Sequence, residues 1–238
     1  MNITKNGFYK LSEILKTPLL RKEGLGVVIE NNLVVAIFDD LNKSYDVEVG
    51  ENSKVEIFGV LKNEDDFKLQ VLQKEDRSNL ILNYLILSFP HPDKGRLGGV
   101  FAKIESKLQA NFIKSNVNIL SIVGNEGVIN LDGIIKIEEE IEKVDGNLVE
   151  ENIFLGDTGK VLGIPTLLVR SDDVKASHAC KMERISDEKL FYLRSRGLGR
   201  ENALNMIIEA KIESLFSCLR MYDKDYYEKV IENILKII

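Results

Sequence analysis

Two positions apart in the run 174-VKASHACKMERISDEKLFYLRSRG-197 stand His178 and Cys180. They are one of two histidines and one of two cysteines in a chain of 238 residues. On a strand, that spacing puts both side chains on one face. Imidazole and thiolate are good ligands for zinc and for iron–sulfur species. Two ligands do not complete a site, so a metal held here needs donors from a second subunit. A plainer reading stays open beside it: Cys180 as a small buried hydrophobe and His178 as a hydrogen-bonded histidine at a strand end. His91, between two prolines in 89-FPHPDKG-95, reads as a solvated loop residue. Cys218 falls on the apolar side of a helix and reads as core.

Other chemistries lack their residues. There is no phosphate loop; 156-GDTGKV-161 has the lysine but neither the spacing nor the hydroxyl. No G-x-S-x-G or H-E-x-x-H occurs. The acidic pairs Asp39-Asp40 and Asp172-Asp173 read as solvated turns. A formal net charge of −6, with basic residues interspersed among acidic ones, argues against nucleic acid as a partner. Two cysteines make no disulfide framework. The N-terminal residues lack a signal-peptide run, and 80-LILNYLILSF-89 is too short to span a bilayer. The expectation is a cytoplasmic protein with reduced thiols and no membrane segment.

The elements that must hold His178 and Cys180 are mostly β. Residues 1–22 read as a weakly helical segment, with Leu11, Ile14 and Leu15 at helical spacing and Pro18 as its stop. From residue 23 to about 183, runs rich in Val, Ile and Leu alternate with Gly, Asn and Asp, as strands do. The clearest are 33–38, 54–61, 67–73, 80–87, 117–123, 128–137, 153–155 and 164–169. No convincing ten-to-fifteen-residue helix lies among them, which argues against a βαβ layout. A sandwich, a barrel and a solenoid remain open. Asparagines at 111, 116, 118, 125, 130, 147 and 152 favour the parallel β-helix somewhat, because asparagine tolerates left-handed backbone at sharp corners. No strict repeat period is visible.

From residue 184 to 238 the pattern turns helical. Ser186 or Asp187 caps a first helix carrying Leu190, Phe191 and Leu193, with Arg194 and Arg196 near its end and Gly197 as a left-handed stop. A second helix over about 200–219 buries Ala203, Leu204, Ile207, Ile208 and Ile212, a stripe that Lys211 interrupts. A third covers 224–238. Such short helices need the β part or another protein to pack on.

The run 164-IPTLLVRSDDVKASHACKMERISDEKLFYLRSRGLGRENALNMIIEA-210 resembles the C-terminal signature of the SufB/SufD family of iron–sulfur cluster assembly subunits, closer to its SufD side. Pro165, Asp173, Val174, His178, Phe191, Tyr192, Leu193, Ser195, Arg196, Gly197, Ala203 and Ile207 carry the likeness. It extends up through 147-NLVEENIFLGD-157 and 127-GVINLDGIIKI-137; before about residue 100 only compatible strands remain. The resemblance implies a right-handed parallel β-helix over 23–183 and a small helical domain over 184–238. It implies pairing with a second SufB/SufD-type chain through the β-helix. It also implies docking of the ABC-type ATPase SufC through the terminal helices, with Leu190, Phe191, Tyr192, Arg194, Arg196, Leu204 and Ile208 as the contact candidates. Nucleotide hydrolysis would belong to that partner, so this chain is not itself expected to be an enzyme. The resemblance also implies a transient iron–sulfur cluster at the subunit interface, near His178; Cys180 lies where neither family pattern calls for a ligand and stays a candidate metal ligand beside His178 on its spacing alone. Ala176 stands where SufD-type chains often carry cysteine, Ala179 where SufB-type chains carry an acid, and no cysteine precedes Cys180. The rival reading is a divergent, metal-free β-solenoid that serves only to dimerise. A polysaccharide lyase is the weakest reading, since no strand shows a row of carboxylate and Arg.

Overall fold

A computed structural model describes residues 1–14, 25–90 and 99–238. In chain order the elements are β1 (Asn2–Ile3), β2 (Gly7–Lys10), α1 (Leu11–Ile14), β3 (Leu25–Ile29), β4 (Val34–Asp39), β5 (Tyr45–Val49), β6 (Lys54–Leu61), β7 (Asp66–Gln73) and β8 (Asn79–Ser88). They continue with β9 (Gly99–Leu108), β10 (Lys114–Val123), β11 (Val128–Ile137), β12 (Val144–Phe154), β13 (Lys160–Leu162), β14 (Thr166–Val169) and β15 (Val174–Arg184). Four helices close the chain: α2 (Asp187–Ser195), α3 (Arg200–Phe216), α4 (Leu219–Tyr222) and α5 (Lys224–Leu235). The expected helix stop at Pro18 and the reading of His91 lie outside the described residues. The first ten residues, expected to be weakly helical, instead supply β1 and β2, one to each sheet.

Successive strands go to opposite sheets, except that β13 and β14 share one. One sheet runs β1-β3-β5-β7-β9-β11-β13, with β14 also on β11; the other runs β15-β12-β10-β8-β6-β4-β2. Pairing is parallel throughout. In the second sheet Val35, Val55, Leu80, Ser115, Gly146 and Ala176 stand in one register row, 20, 25, 35, 31 and 30 residues apart. The unequal steps explain why no repeat shows in the sequence. Left-handed corner residues include Asn32, Asn42 and Asn52, but also Glu64, Arg77, Phe112 and Lys143. Most of the asparagines read as corner residues lie inside strands instead. There they stack: Asn118 donates to Asn83 at 2.9 Å and Asn147 to Asn116 at 3.2 Å.

Alternation sorts each strand's side chains to two faces. The inward set, among them Val117, Ile119, Leu148, Ile104 and Ile135, forms one core between the sheets. The outward set of the second sheet forms another: Phe38, Phe58, Leu85, Leu87, Leu120, Ile122 and Ile153 meet Ile208, Ile212, Phe216, Leu219 and Ile231 from the helices. The helices thus satisfy their apolar stripes on the protein's own sheet.

Asp39, read as a solvated turn residue, is buried instead. Its carboxylate accepts from the Leu41 and Asn42 backbone N–H groups at 3.2 Å each, and from the Tyr84 hydroxyl at 3.3 Å. Tyr84 and Tyr45 share a hydroxyl contact of 3.0 Å. Burial lifts the Asp39 carboxyl from 3.8 to about 6. Between those values the folded chain binds more protons than the unfolded one, so this residue makes stability fall as pH rises from about 4 to about 6. Asp39→Asn is expected to remove that slope and to stabilise the protein at pH 7 by about 1–3 kcal/mol. Urea denaturation of both proteins at pH 4.5 and 7 measures it; equal differences at the two pH values contradict it.

Candidate functional site

β15 is the last strand of its sheet and pairs on one side only, with β12. His178 lies beside Leu148, and Cys180 beside Glu150. Leu148 is in the core between the sheets, so His178 and Cys180 face inward together, as their spacing predicts. Both are nevertheless exposed, because no further strand covers this end. Val169 and Met182 share that situation: they pair with inward-facing Ile137 and Asn152, yet Met182 is 61% exposed. The Cys180 reading as a buried hydrophobe is therefore replaced by an exposed thiol at an uncapped core end.

The opposite sheet is broken at the same level. β13 and β14 both pair with β11, and residues 163–165 between them leave the ladder. Gly163 makes the break with φ +126, where a side chain would be strained. His178 Nδ1 lies 3.3 Å from the Pro165 carbonyl oxygen in that break.

Beneath Cys180 lies a polar floor that sequence reasoning missed. Glu150 and Asn152 point inward from β12 and are buried, Glu150 to 3% exposure. The Asn152 Nδ2 amide donates to Cys180 Sγ at 3.6 Å. Burial, then the Glu150 charge, pushes the Cys180 thiol up. Burial also pushes the Glu150 carboxyl up to about 7, opposed by the Gly133 N–H and assisted by Asp132. Gly133 leaves the room that this carboxylate occupies: a Cβ there would stand 2.2 Å from Glu150 Oε1. Among the described residues, no group of three or more His, Cys, Asp and Glu is gathered as a ready-made metal centre.

The outward face of β15 ties the strand to the helices. Lys181 pairs with Glu151 of β12 at 3.0 Å and with Glu183, and Lys189 of α2 holds Glu183 at 2.6 Å. Lys211 of α3 reaches the same Glu151 carboxylate. The lysine that interrupts the apolar stripe of α3 thus serves as the counter-charge of a half-buried glutamate. Burial raises the Glu151 carboxyl, and its hydrogen bonds to Lys211 and Lys181 outweigh that and leave it low.

The seven docking candidates divide. Ile208 is completely buried in the core between the helices and the sheet and is not free for a partner, and Leu190 is buried as well. Leu204 is half-buried and, with Leu190, borders a groove between α2, α3 and the ends of β12 and β15. Phe191 and Tyr192 stand out at 71% and 58% exposure, and Arg194 and Arg196 are exposed beside them. The Arg196 guanidinium sits 5.4 Å from the Tyr192 ring centre and donates to its hydroxyl at 3.3 Å. Ser186 caps α2 by accepting from the Lys189 N–H, and Gly197 takes the left-handed stop at φ +96, as the sequence indicates. Cys218 is half-buried against the helix–sheet core. No helix among the described residues is long and apolar enough to cross a membrane.

Residues 101–211 match the family model described as SUF system FeS cluster assembly, SufBD core domain. The iron–sulfur cluster assembly protein SufD of Escherichia coli is 36% identical over 114 residues, which is 48% of this chain and 26% of that protein. A SufBD family protein of Pyrococcus horikoshii is 26% identical over 184 residues, 77% of this chain and 34% of the relative. One from Staphylococcus epidermidis is 30% identical over 127 residues, 53% of this chain and 27% of the relative. The chain therefore spans about a quarter to a third of the length of these relatives.

Proposed function

We propose, from the premise that this chain belongs to the SufB/SufD family through its SufBD core domain, that it is a SufD-like scaffold subunit of iron–sulfur cluster assembly. The two alternating parallel sheets are read as the coils of a parallel β-helix, right-handed because nearly all parallel crossovers are. Its uncapped end pairs with a second SufB/SufD-type chain. α2 docks a SufC-type ABC ATPase, which supplies the nucleotide chemistry for which this chain has no phosphate loop. A cluster, as cargo, passes the dimer interface beside His178 and Cys180. The setting of such a machine is the cytoplasm.

The observation that carries this reading is the open core end inside the matched region. Stacked-repeat proteins need a polar cap where the stack stops. Here the stack stops on exposed Met182 and Val169 around a histidine and a thiol, with an unpaired strand edge beside them. An exposed edge of that kind is a template for another chain. Aromatics flanked by arginine, as at Phe191, Tyr192 and Arg196, are enriched at protein interfaces.

Anaerobic reconstitution with iron and sulfide, in the presence of the second subunit, tests the site. Wild-type complex is expected to retain more cluster per dimer than a complex carrying His178→Ala, read by iron and sulfide content. Equal occupancy removes His178 from the site and favours the metal-free dimerisation module.

A further inference from the structure

Three glutamates are buried, Glu56, Glu105 and Glu150, and of their carboxylate oxygens Glu56 Oε2 and Glu150 Oε1 have no hydrogen-bond partner. Two of the three have cations. Lys54 lies 2.6 Å from Glu56, and Lys136 lies 2.9 Å from Glu105, with Lys103 and Lys107 close by. No ion pair among the described residues reaches Glu150. An isolated buried carboxylate is costly, and an unpaired buried polar atom calls for a cause such as a missing ion. Asn152, two residues on and on the same face, also has an unpartnered oxygen, Oδ1. Its amide already sits against Cys180 Sγ, and a half-turn of the amide exchanges nitrogen for oxygen there. Cys180 is the register partner of Glu150, about 4.8 Å away backbone to backbone. Gly133 opposite leaves the space in which the carboxylate sits.

We propose that Cys180 Sγ, Glu150 Oε1 and Asn152 Oδ1 bind a single borderline divalent cation of the ferrous or zinc class, within one chain and without a second subunit. A thiolate with oxygen donors suits that class, and water completes the coordination. Binding displaces the thiol proton to solvent and gives Glu150 the counter-charge that Lys54 and Lys136 give its two counterparts. The site deepens the assembly role proposed above and rests on it for its meaning: it is where metal enters before subunits pair. Its ligands lie in one chain, so its existence is tested separately.

The probe is cobalt(II), titrated anaerobically into the reduced single chain. Wild-type protein is expected to take one equivalent with thiolate-to-cobalt charge-transfer absorption. Cys180→Ser loses the absorption, and Cys218→Ser keeps it. Glu150→Gln weakens binding about tenfold or more while keeping the band at saturation, and Asn152→Ala weakens it less. His178→Ala binds like wild type. The metal-free Glu150→Gln protein melts no lower than wild type, which separates loss of a ligand from loss of fold. An absent band in wild type, a band that survives Cys180→Ser, or equal affinity in Glu150→Gln overturns the site. Cobalt binding by a chain that captures no second subunit or ATPase keeps the site and sinks the assembly role instead.

Discussion

Gly163→Ala is expected to cost roughly 2–6 kcal/mol, from strained backbone and overpacking together. The added Cβ would stand 1.8 Å from the Leu131 carbonyl oxygen, an atom of the ladder that cannot swing aside. The backbone at +126 also lies where alanine is strained. Relief requires residues 163–165 to move out, and β13 and β14 cannot then both keep their register on β11. The Pro165 carbonyl moves with them, away from His178. The loss is local to the open end: amides of β14 and β15 exchange faster while those of β8 and β10 keep their protection. Gly26→Ala, where nothing lies within 4 Å of the added carbon, is the control and is expected to stay within about 0.5 kcal/mol of wild type. Urea titration with hydrogen exchange measures both. A Gly163→Ala protein as stable as the control contradicts the described break.

Phe216→Ala is expected to cost about 3–5 kcal/mol, a large part of the stability of an ordinary domain. Phe216 is fully buried where α3 meets the sheet, its ring 6.2 Å from that of Phe58. Ile208, Ile212 and Leu219 share the same cluster, so the cavity opens at the centre of the seam between helices and strands. The helices are expected to lose exchange protection first. The inter-sheet core around Leu82 and Val117 belongs to the other cluster and holds. Uniform loss across both layers contradicts the separation of the two cores.

How much of this was legible in the sequence follows from what each residue reports. Val117 and Ile119 alternate with Asn118 and Leu120, and the strand, its inward face and its length could be read from them. The helix cap at Ser186 and the stop at Gly197 were equally plain, because caps depend on local chemistry. β9 was missed: Lys103, Glu105 and Lys107 line its outward face, so the run GVFAKIESKL looks too charged for a strand. β12 was seen only at its end, since Gly146 and Glu150 occupy inward positions where an apolar residue is expected. β15 runs on to Arg184 because the β12 register holds it, not because Met182-Glu183-Arg184 favours a strand. The candidate site split along the same line. The shared face of His178 and Cys180 followed from their spacing. The Glu150 and Asn152 floor did not, because a charged or amide residue in an alternating strand reads as outward until its register is known. An apolar helix stripe is equally mute about what it packs on, so Ile208 could be assigned to a partner when it serves the protein's own core.

We propose that α2 docks an ABC-type ATPase. Isothermal titration of this chain with a purified SufC-type ATPase tests it directly, with Phe191→Ala/Tyr192→Ala as the matched variant. Saturable binding is expected for the wild type, weakened about tenfold or more in the variant, as for truncation of exposed aromatic anchors. Absence of binding by the wild type, or identical binding by the variant, contradicts the account.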